Sequence, residues 1–126
     1  MKSTIISFSI FVLMIFCIIF SINYLNSICT RLQNSSMQIE KSIQLNSWNE
    51  AYKSSQDFMV EWKKYSPKLS IFSDHDEMED INNESYKLMN YILHKNSEES
   101  LSSTNIIQNS LEHILEMQRL NIQNLL

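Results

Sequence analysis

The chain has 126 residues, a formal net charge of −4, no glycine, one proline and two cysteines. Without glycine it cannot form the phosphate-binding loops, dinucleotide-binding turns or nucleophile elbows that need backbone free of a Cβ, and a β-rich fold is disfavoured. The acidic balance also argues against a nucleic-acid partner, because the phosphate backbone repels negative charge.

The first element along the chain is an apolar segment, residues 5–25, which contains no charged side chain. About 20 such residues span the hydrocarbon core of a bilayer as a helix. A cleaved signal peptide is the alternative, but its apolar region normally has about 7–15 residues and ends in small residues, and Ser21-Ile22-Asn23 matches that ending poorly. The segment therefore predicts an uncleaved membrane anchor over residues 1–27.

The rest of the chain, residues 28–126, is expected to be one domain outside the cytoplasm. Its length fits a single compact domain. Lys2 and the terminal amine precede the apolar segment, and only Arg31 follows it closely. Because positive charge tends to stay on the cytoplasmic side, this arrangement predicts a single-pass protein with its N-terminus in the cytoplasm.

Apolar spacing and stop signals predict an all-α fold, in which a transmembrane helix continues into a small four-helix bundle. The first helix continues from the anchor to about Leu45. The second begins at Ser47-Trp48-Asn49-Glu50, a capping box in which the serine and the glutamate each bond a free backbone N–H, and it ends at Ser66-Pro67. The third begins near Asp74, and the fourth follows the capping pattern Asn96-Ser97-Glu98-Glu99.

Each predicted helix carries a stripe of residues at spacings of three and four, which is typical of a helix face packed against a core. A second stripe on the opposite side of the fourth helix predicts a central helix that is covered on both sides. The connection 68–73 and the closing run 120–126 are also apolar enough to be expected against the bundle. The core stripes are Ile28, Leu32, Ser35, Ile39 and Ile43 in the first helix; Trp48, Ala51, Tyr52, Ser55, Phe58, Met59 and Trp62 in the second; Met78, Ile81, Ser85, Leu88, Met89 and Ile92 in the third; and Leu101, Thr104, Ile107, Leu111, Ile114, Leu115 and Gln118 in the fourth, whose second stripe is Ile106, Ser110, His113, Met117 and Leu120.

The two cysteines exclude several kinds of site. On a continuous helix Cys17 and Cys29 would lie about 18 Å apart along the axis, which is too far for an internal disulfide. Cys29 is at most an intermolecular link, and an unpaired small residue is the simpler interpretation. Because residues 30–126 contain no cysteine, thiol catalysis and thiolate zinc sites are excluded from that part of the chain.

Two groups of histidine and glutamate are the sharpest candidates for chemistry. Residues three or four apart share a helix face, and two such groups on facing helices can bind a divalent metal. Two features are unfavourable: di-iron bundles place the histidine three residues after a glutamate, and these side chains project away from the core stripes. The candidate ligands are His75 and Glu79 in the third helix and Glu112, His113 and Glu116 in the fourth.

The histidines also have an interpretation without a ligand. His113 would be a buried or half-buried residue hydrogen-bonded across the bundle, and His75 would brace the start of the third helix. If the two met, protonation near the unperturbed histidine pKa of about 6.5 would make the fold sensitive to acid. His94, near a helix end, is expected at the surface, where it matches the helix dipole.

Two further patterns have both a binding and a structural interpretation. The acidic run 74–80 loosely resembles the oxygen ligands of a calcium loop, but it lacks glycine and enters a helix, which is more typical of a solvated helix start. Trp48 and Trp62 could border a small-molecule pocket in a sensor. Aromatic residues at helical spacing are, however, more often part of a core.

Several segments, taken in this order, resemble a known family: Trp48, Trp62-Lys63-Lys64, Phe72-Ser73-Asp74-His75-Asp76-Glu77, Leu111-Glu112-His113-Ile114 and Leu120-Asn121-Ile122-Gln123-Asn124-Leu125. The chain resembles domain of unknown function 4363, a family of short bacterial proteins with one N-terminal membrane anchor. The resemblance covers nearly the whole chain and implies an anchored helical protein, without an activity to transfer. Gln118 stands where the resemblance leads us to expect an acid, which weakens a carboxylate-based role for that turn.

The sequence therefore predicts a non-enzymatic, membrane-anchored helical protein that acts by protein–protein interaction and needs no cofactor. The expected partner is another protein, such as a multi-spanning membrane protein, and self-association is open as well. Two alternatives remain. One is a metal-binding helical protein that uses His75 and Glu79 with Glu112, His113 and Glu116, and the other is an extracytoplasmic sensor or ligand-binding domain.

Overall fold

The computed structural model describes the backbone of residues 1–71 and 73–125, and their side chains except those at positions 121, 122, 124 and 125. The described part consists of four α-helices joined by short connections and contains no strand. The predicted all-α fold is confirmed. The helices are α1 (Lys2–Gln44), α2 (Trp48–Leu69), α3 (His75–Leu93) and α4 (Ser97–Leu125).

The four helices form an up-and-down bundle. α1 contacts α2 and α4, and α3 contacts the same two helices, so α1 and α3 lie diagonally opposite each other. The short connections leave consecutive helices antiparallel. The end of α2, the start of α3 and the end of α4 therefore lie at one end of the bundle, beside the apolar segment of α1. We call this the anchor end, and the opposite end the distal end.

α1 is a single uninterrupted helix of 43 residues with two different halves. The most apolar window of 18 residues has a mean hydropathy of 2.9, and none of it is buried in the bundle. Burial begins at Leu25 and continues through the predicted stripe, in which Ile28, Leu32, Ile39 and Ile43 are all buried. The helix is long and apolar enough to cross a membrane, and it continues into the bundle as the spacing predicts.

The predicted core stripes form the observed core. α2 contributes the largest buried side chains, Phe58 and Trp62, and α3 and α4 pack Leu88 and Leu111 against them in one cluster. Among the polar members of the stripes, Ser55, Ser85, Thr104 and Gln118 are buried too. The hydroxyl of Ser85, for example, donates to the carbonyl of Ile81 at 2.7 Å, which satisfies it inside the helix. The stripe members that are only half-buried are Ser35, Trp48, Tyr52, Met89 and Leu101.

The distal connections use left-handed backbone without glycine. Asn46 has φ 57° and Lys95 has φ 53°. Each follows a helix end where two backbone hydrogen bonds close the last turn, as in a Schellman motif. Asparagine is the residue that tolerates this conformation best after glycine, whereas lysine carries a steric cost. Nothing in the sequence indicated the left-handed conformation of Lys95.

The start of α2 lies where the capping box places it, but the cap itself is not formed. Ser47 is the residue before the first helical turn, and its side chain makes no capping hydrogen bond. Its backbone N–H instead donates to the carbonyl of Ser42 at 2.9 Å and so closes the end of α1. Only three residues separate the two helices, so the backbone of Ser47 takes part in the C-terminal hydrogen bonds of α1. The predicted capping-box hydrogen bond of the Ser47 side chain is wrong.

The predicted end of α2 at Pro67 is also wrong. The helix continues to Leu69 with Pro67 inside its last turn. Proline removes one hydrogen bond of that turn, but Leu69 is fully buried, and its burial stabilises the extra residues. Ile71 is exposed, although the whole connection was expected against the bundle. Phe72, in the same connection, lies outside the described residues.

The second stripe of α4 is not covered. Ile106, Met117 and Leu120 are exposed, because α4 packs against α1 and α3 and turns its opposite side to the surroundings. The predicted central position of this helix is therefore wrong. The closing run 120–126 was expected to pack against the bundle. Most of its apolar side chains, at positions 122, 125 and 126, lie outside the described part of the chain.

Candidate functional site

A groove between α2 and α3 contains the first pair of candidate ligands. The groove has a volume of about 440 Å³ and lies at the anchor end of the bundle. His75 and Glu79 lie one turn apart at the start of α3, and both are exposed. The pair can therefore reach water easily, but one histidine and one carboxylate are too few ligands for a stable zinc site. The groove is lined by Trp62, Ser66, Pro67, Ser70, His75, Met78, Glu79 and Asn82.

His113 lies elsewhere, in an ion-pair position between α3 and α4. Its Nδ1 atom donates to Oε1 of Glu77 at 2.6 Å. The predicted hydrogen bond across the bundle is present, but the histidine is exposed rather than buried. An exposed pair of this kind contributes about 0.2–1 kcal/mol to stability. His75 lines the groove toward α2 and is not part of this contact, so the geometry for two facing histidines is not formed.

A second groove, between α1 and α4, contains the remaining candidates. It has a volume of about 400 Å³. Glu112 and Glu116 project into it together with Arg119, so that a cation accompanies the two carboxylates. The neighbouring Gln108 amide donates to Oε2 of Glu40 at 2.8 Å, which ties α4 to α1 above the groove. The polar lining is Gln33, Asn34, Gln108, Asn109, Glu112, Glu116 and Arg119, and Met37 and Leu115 complete it.

The five candidate metal ligands are thus distributed over three places. Within residues 1–71 and 73–125 there is no group of three or more histidine, cysteine, aspartate or glutamate side chains that could hold a metal ion. The reason is the direction of the helix faces: His75 and Glu79 face α2, His113 faces Glu77, and Glu112 with Glu116 faces α1. The candidate ligands therefore form separate pairs at the surface, and each pair can make only weak polar contacts.

The acidic run forms the start of α3. Asp74 precedes the helix and accepts a hydrogen bond from the backbone N–H of Asp76 at 3.3 Å. Asp76 and Glu77 lie in the first turn, where the helix dipole favours negative charge. The side chains of Asp74, Asp76, Glu79 and Asp80 are exposed. This geometry matches the predicted solvated helix start, and no loop of alternating oxygen ligands is formed.

Cys29 is enclosed by the bundle. It is 0% exposed. Burial raises the pKa of its thiol to about 11, because the thiolate would lose its hydration. A buried, protonated thiol reacts slowly and cannot reach a second molecule. The possible role of Cys29 as an intermolecular link is therefore wrong for the folded protein.

At the edge of the apolar segment, Tyr24 and Lys68 join α1 to the end of α2. The ammonium of Lys68 donates to the Tyr24 hydroxyl at 2.7 Å and lies 5.1 Å from the centre of the ring. The hydrogen bond to Tyr24 raises the pKa of Lys68 above its usual value, so the ammonium stays charged. Arg31 makes a similar link about two turns further on, where its Nε lies 3.2 Å from Oε1 of Glu61.

Comparison with known proteins gives one match. The family described as Domain of unknown function (DUF4363) matches residues 19–125. The chain belongs to this family. The match covers the bundle and starts inside the apolar segment, so residues 5–18 of this DUF4363 protein lie outside it. No curated protein and no solved structure matches the chain.

Two features of this DUF4363 protein were not singled out from the sequence. One is the Tyr24–Lys68 contact, for which the only signal is a tyrosine near the end of an apolar segment, where aromatic residues often mark a membrane interface. The other is the amide of Gln118, which is buried without a hydrogen bond to the described residues. Such a group costs about 1–3 kcal/mol. Gln118 was predicted as a core position, but the isolation of its amide depends on the neighbouring helices.

Proposed function

We propose that this protein is a non-enzymatic, membrane-anchored helical protein that acts by protein–protein interaction. The observation that carries the proposal is α1, in which an exposed apolar half continues without a break into the half that forms the core. Each large apolar side chain buried in a bilayer contributes about 1.5–3 kcal/mol. The exposed apolar half therefore favours a bilayer strongly over water, and the unbroken helix holds the bundle close to the membrane surface.

The proposal places the N-terminus in the cytoplasm and the bundle outside it. Lys2 and the terminal amine precede the apolar half, and positive charge is retained on the cytoplasmic side. Arg31 is the only cation among residues 26–40, so two positive charges precede the segment and one follows it closely. The proposed orientation depends on this difference.

The orientation can be tested with a cysteine at an exposed position of the bundle. We expect Asn105→Cys, on the exposed side of α4, to react in intact cells with a thiol reagent that cannot cross membranes. Cys29 should stay unmodified until the protein is denatured, because it is buried and its pKa is about 11. The wild-type chain is thus the matched control. Labelling of Asn105→Cys only after cell lysis would mean that the bundle lies in the cytoplasm, which contradicts the proposed orientation.

The partner surface that we propose is the outward stripe of α4: Ile106, Ser110, His113, Met117 and Leu120. Its spacings of four and three residues are those of a seam that packs against another helix. The apolar members of the stripe are exposed, and the stripe runs toward the anchor end, where a membrane protein would lie alongside it. A helix of a membrane partner, or α4 of a second copy, has the geometry to cover it.

A photo-crosslinking residue at Met117 in the full chain tests this surface in native membranes. We expect an adduct with one defined membrane protein, or with a second copy, identified by mass spectrometry. The matched control is the same residue at Val60, which is exposed on α2 and outside the stripe. Met117→Glu should abolish recovery of the partner, whereas Val60→Glu should not. Equal adducts from both positions, or none from Met117, would exclude the stripe as the partner surface.

The two alternative functions have less support. A metal-binding role would have to use His75 with Glu79, or Glu112 with Glu116, as separate pairs, and neither pair supplies the three or four ligands that a stable zinc site needs. A sensor role would use the open groove beside Trp62. The Trp62 indole is itself buried in the core, so the aromatic residues of α2 are better explained as core residues than as the border of a ligand pocket.

A further inference from the structure

The last turn of α2 and Ile71, which follows it, lie beside α1 where the apolar segment ends. Together they border a small open cavity of about 180 Å³. Its position is set by the antiparallel packing of α2 on α1, which brings residue 68 to the level of residue 24. We call its lining residues the corner patch: Phe20, Ser21, Tyr24, Leu25, Lys68 and Ile71.

The corner patch combines an apolar surface with a cation, Lys68, that forms no ion pair with the described part of the chain. Ile71 is 76% exposed, and it lies beside Phe20 of the apolar segment. Lys68 has three N–H donors, of which one is used by the Tyr24 hydroxyl. Among the described residues no carboxylate lies within 4.0 Å of Lys68. Two donors are therefore directed to the surroundings, next to an exposed apolar side chain.

The charge around the patch favours a phosphate-bearing surface. Lys64 lies one turn before Lys68 on α2 and is exposed, so the side of α2 nearest the apolar segment is positive. The acids from Asp74 to Asp80 lie at the start of α3, which is diagonally opposite α1, and Glu116 of α4 shares its groove with Arg119. Exposed tyrosine, lysine and isoleucine at the end of an apolar helix are the combination found at the headgroup level of membranes.

We propose that the corner patch is a second membrane contact of this protein. Ile71 enters the boundary between headgroups and acyl chains, and the Lys68 ammonium binds lipid phosphate oxygens while Tyr24 holds it in place. The contact fixes the rotation of the bundle about α1, so one side of the bundle, rather than the anchor alone, rests on the bilayer. This inference depends on the membrane anchoring proposed above.

The test uses the full chain in vesicles of phosphatidylcholine and phosphatidylglycerol. An environment-sensitive fluorophore is attached to a single reactive cysteine, in a Cys17→Ser background where buried Cys29 stays unlabelled. The probe is placed by Ile71→Cys in the patch and by Leu93→Cys at the distal end, where Leu93 is 61% exposed and serves as the matched control. Lipids carrying a spin label near the headgroup then quench any probe in the interface.

We expect quenching at position 71 to be several-fold greater than at position 93. Adding Lys68→Gln should reduce the quenching at position 71. Lys63→Gln is the control and should leave that quenching unchanged, because the Lys63 ammonium lies on the side facing α3, 5.8 Å from the centre of the Tyr86 ring. Equal, water-like fluorescence at 71 and 93 would overturn the proposal. Protection at 71 in native membranes but not in these vesicles would assign the patch to a protein partner and also overturn it.

A probe on Cys17 of the otherwise unchanged chain separates this inference from the anchoring on which it depends. Cys17 is exposed and lies within the apolar segment. Quenching there by spin labels deep in the bilayer, with none at position 71, would leave the anchor in place and remove only the corner patch. No quenching at Cys17 would overturn the anchor and the patch together.

Discussion

Replacing Trp62 by alanine is expected to lower the free energy of unfolding by about 3–5 kcal/mol. The side chain is 2% exposed and belongs to the single core cluster formed by all four helices. Truncation removes its transfer free energy and leaves a cavity that packed helices fill only in part. For a domain of this size the corresponding fall in Tm exceeds about 10 °C. Thermal unfolding of the full chain in detergent micelles, followed by circular dichroism, measures it.

Val60→Ala is the matched control for this prediction. Val60 lies on the same helix and is 68% exposed, so the change should alter the free energy of unfolding by less than about 0.5 kcal/mol. A similar loss in both variants would mean that α2 does not face the core in the register described. An unchanged Tm for Trp62→Ala would contradict the position of the indole in the core.

The double substitution Leu13→Arg and Phe16→Arg is expected to prevent stable membrane insertion. Both residues are exposed on the apolar half of α1. An arginine at the centre of a transmembrane helix costs about 2.5–3.5 kcal/mol, and the two apolar side chains are lost as well. The protein should move from the carbonate-resistant membrane pellet to the supernatant. Because these positions precede the first core residue, Leu25, the thermal transition of the bundle should persist.

The control places two arginines in the other half of the same helix, by Met37→Arg and Gln44→Arg. Both positions are exposed and lie beyond the apolar segment, so membrane association should be retained. This pair separates an effect of charge in the apolar half from an effect of added charge in general. A double arginine variant at 13 and 16 that remains in the membrane pellet would contradict the anchoring role of α1.

The core could be predicted closely because helical periodicity is local. The spacing that brings Ile28, Leu32, Ile39 and Ile43 onto one face of α1 follows from 3.6 residues per turn, whatever the partner helices are. The third helix was predicted to begin near Asp74, and Asp74 is the residue that caps the start of α3. The family resemblance, too, depended on short segments in order, and the family match over residues 19–125 confirms it.

The helix ends were predicted less well because they depend on neighbouring elements. Pro67 stops an isolated helix, but burial of Leu69 against the bundle carries α2 past it. The Ser47 N–H bonds the end of α1, although the local pattern indicated a cap on α2. At Pro67 the burial of Leu69 outweighs the hydrogen bond that proline removes. At Ser47 a backbone hydrogen bond to Ser42, five residues earlier, closes α1, and the serine side chain makes no cap.

The candidate metal ligands show the same limit. Spacing correctly groups His75 with Glu79 and Glu112 with Glu116 on shared helix faces. It cannot say which way a face turns once four helices pack, and the packing directs these groups to different grooves. The second stripe of α4 is the corresponding case on the apolar side. Two apolar stripes predicted that α4 is covered on both sides, but in this bundle the side of Ile106, Met117 and Leu120 is exposed.

The sequence by itself determined the apolar segment, its continuation into the domain, the all-helical fold and the membership of the core, because each depends on periodicity and composition along the chain. The tertiary structure alone decided that Cys29 is enclosed, that Lys68 meets Tyr24 across 44 positions of the chain, and that the outward stripe of α4 is uncovered. Those features arise where separate helices come together, and their angles and levels are set by the packing of the whole core.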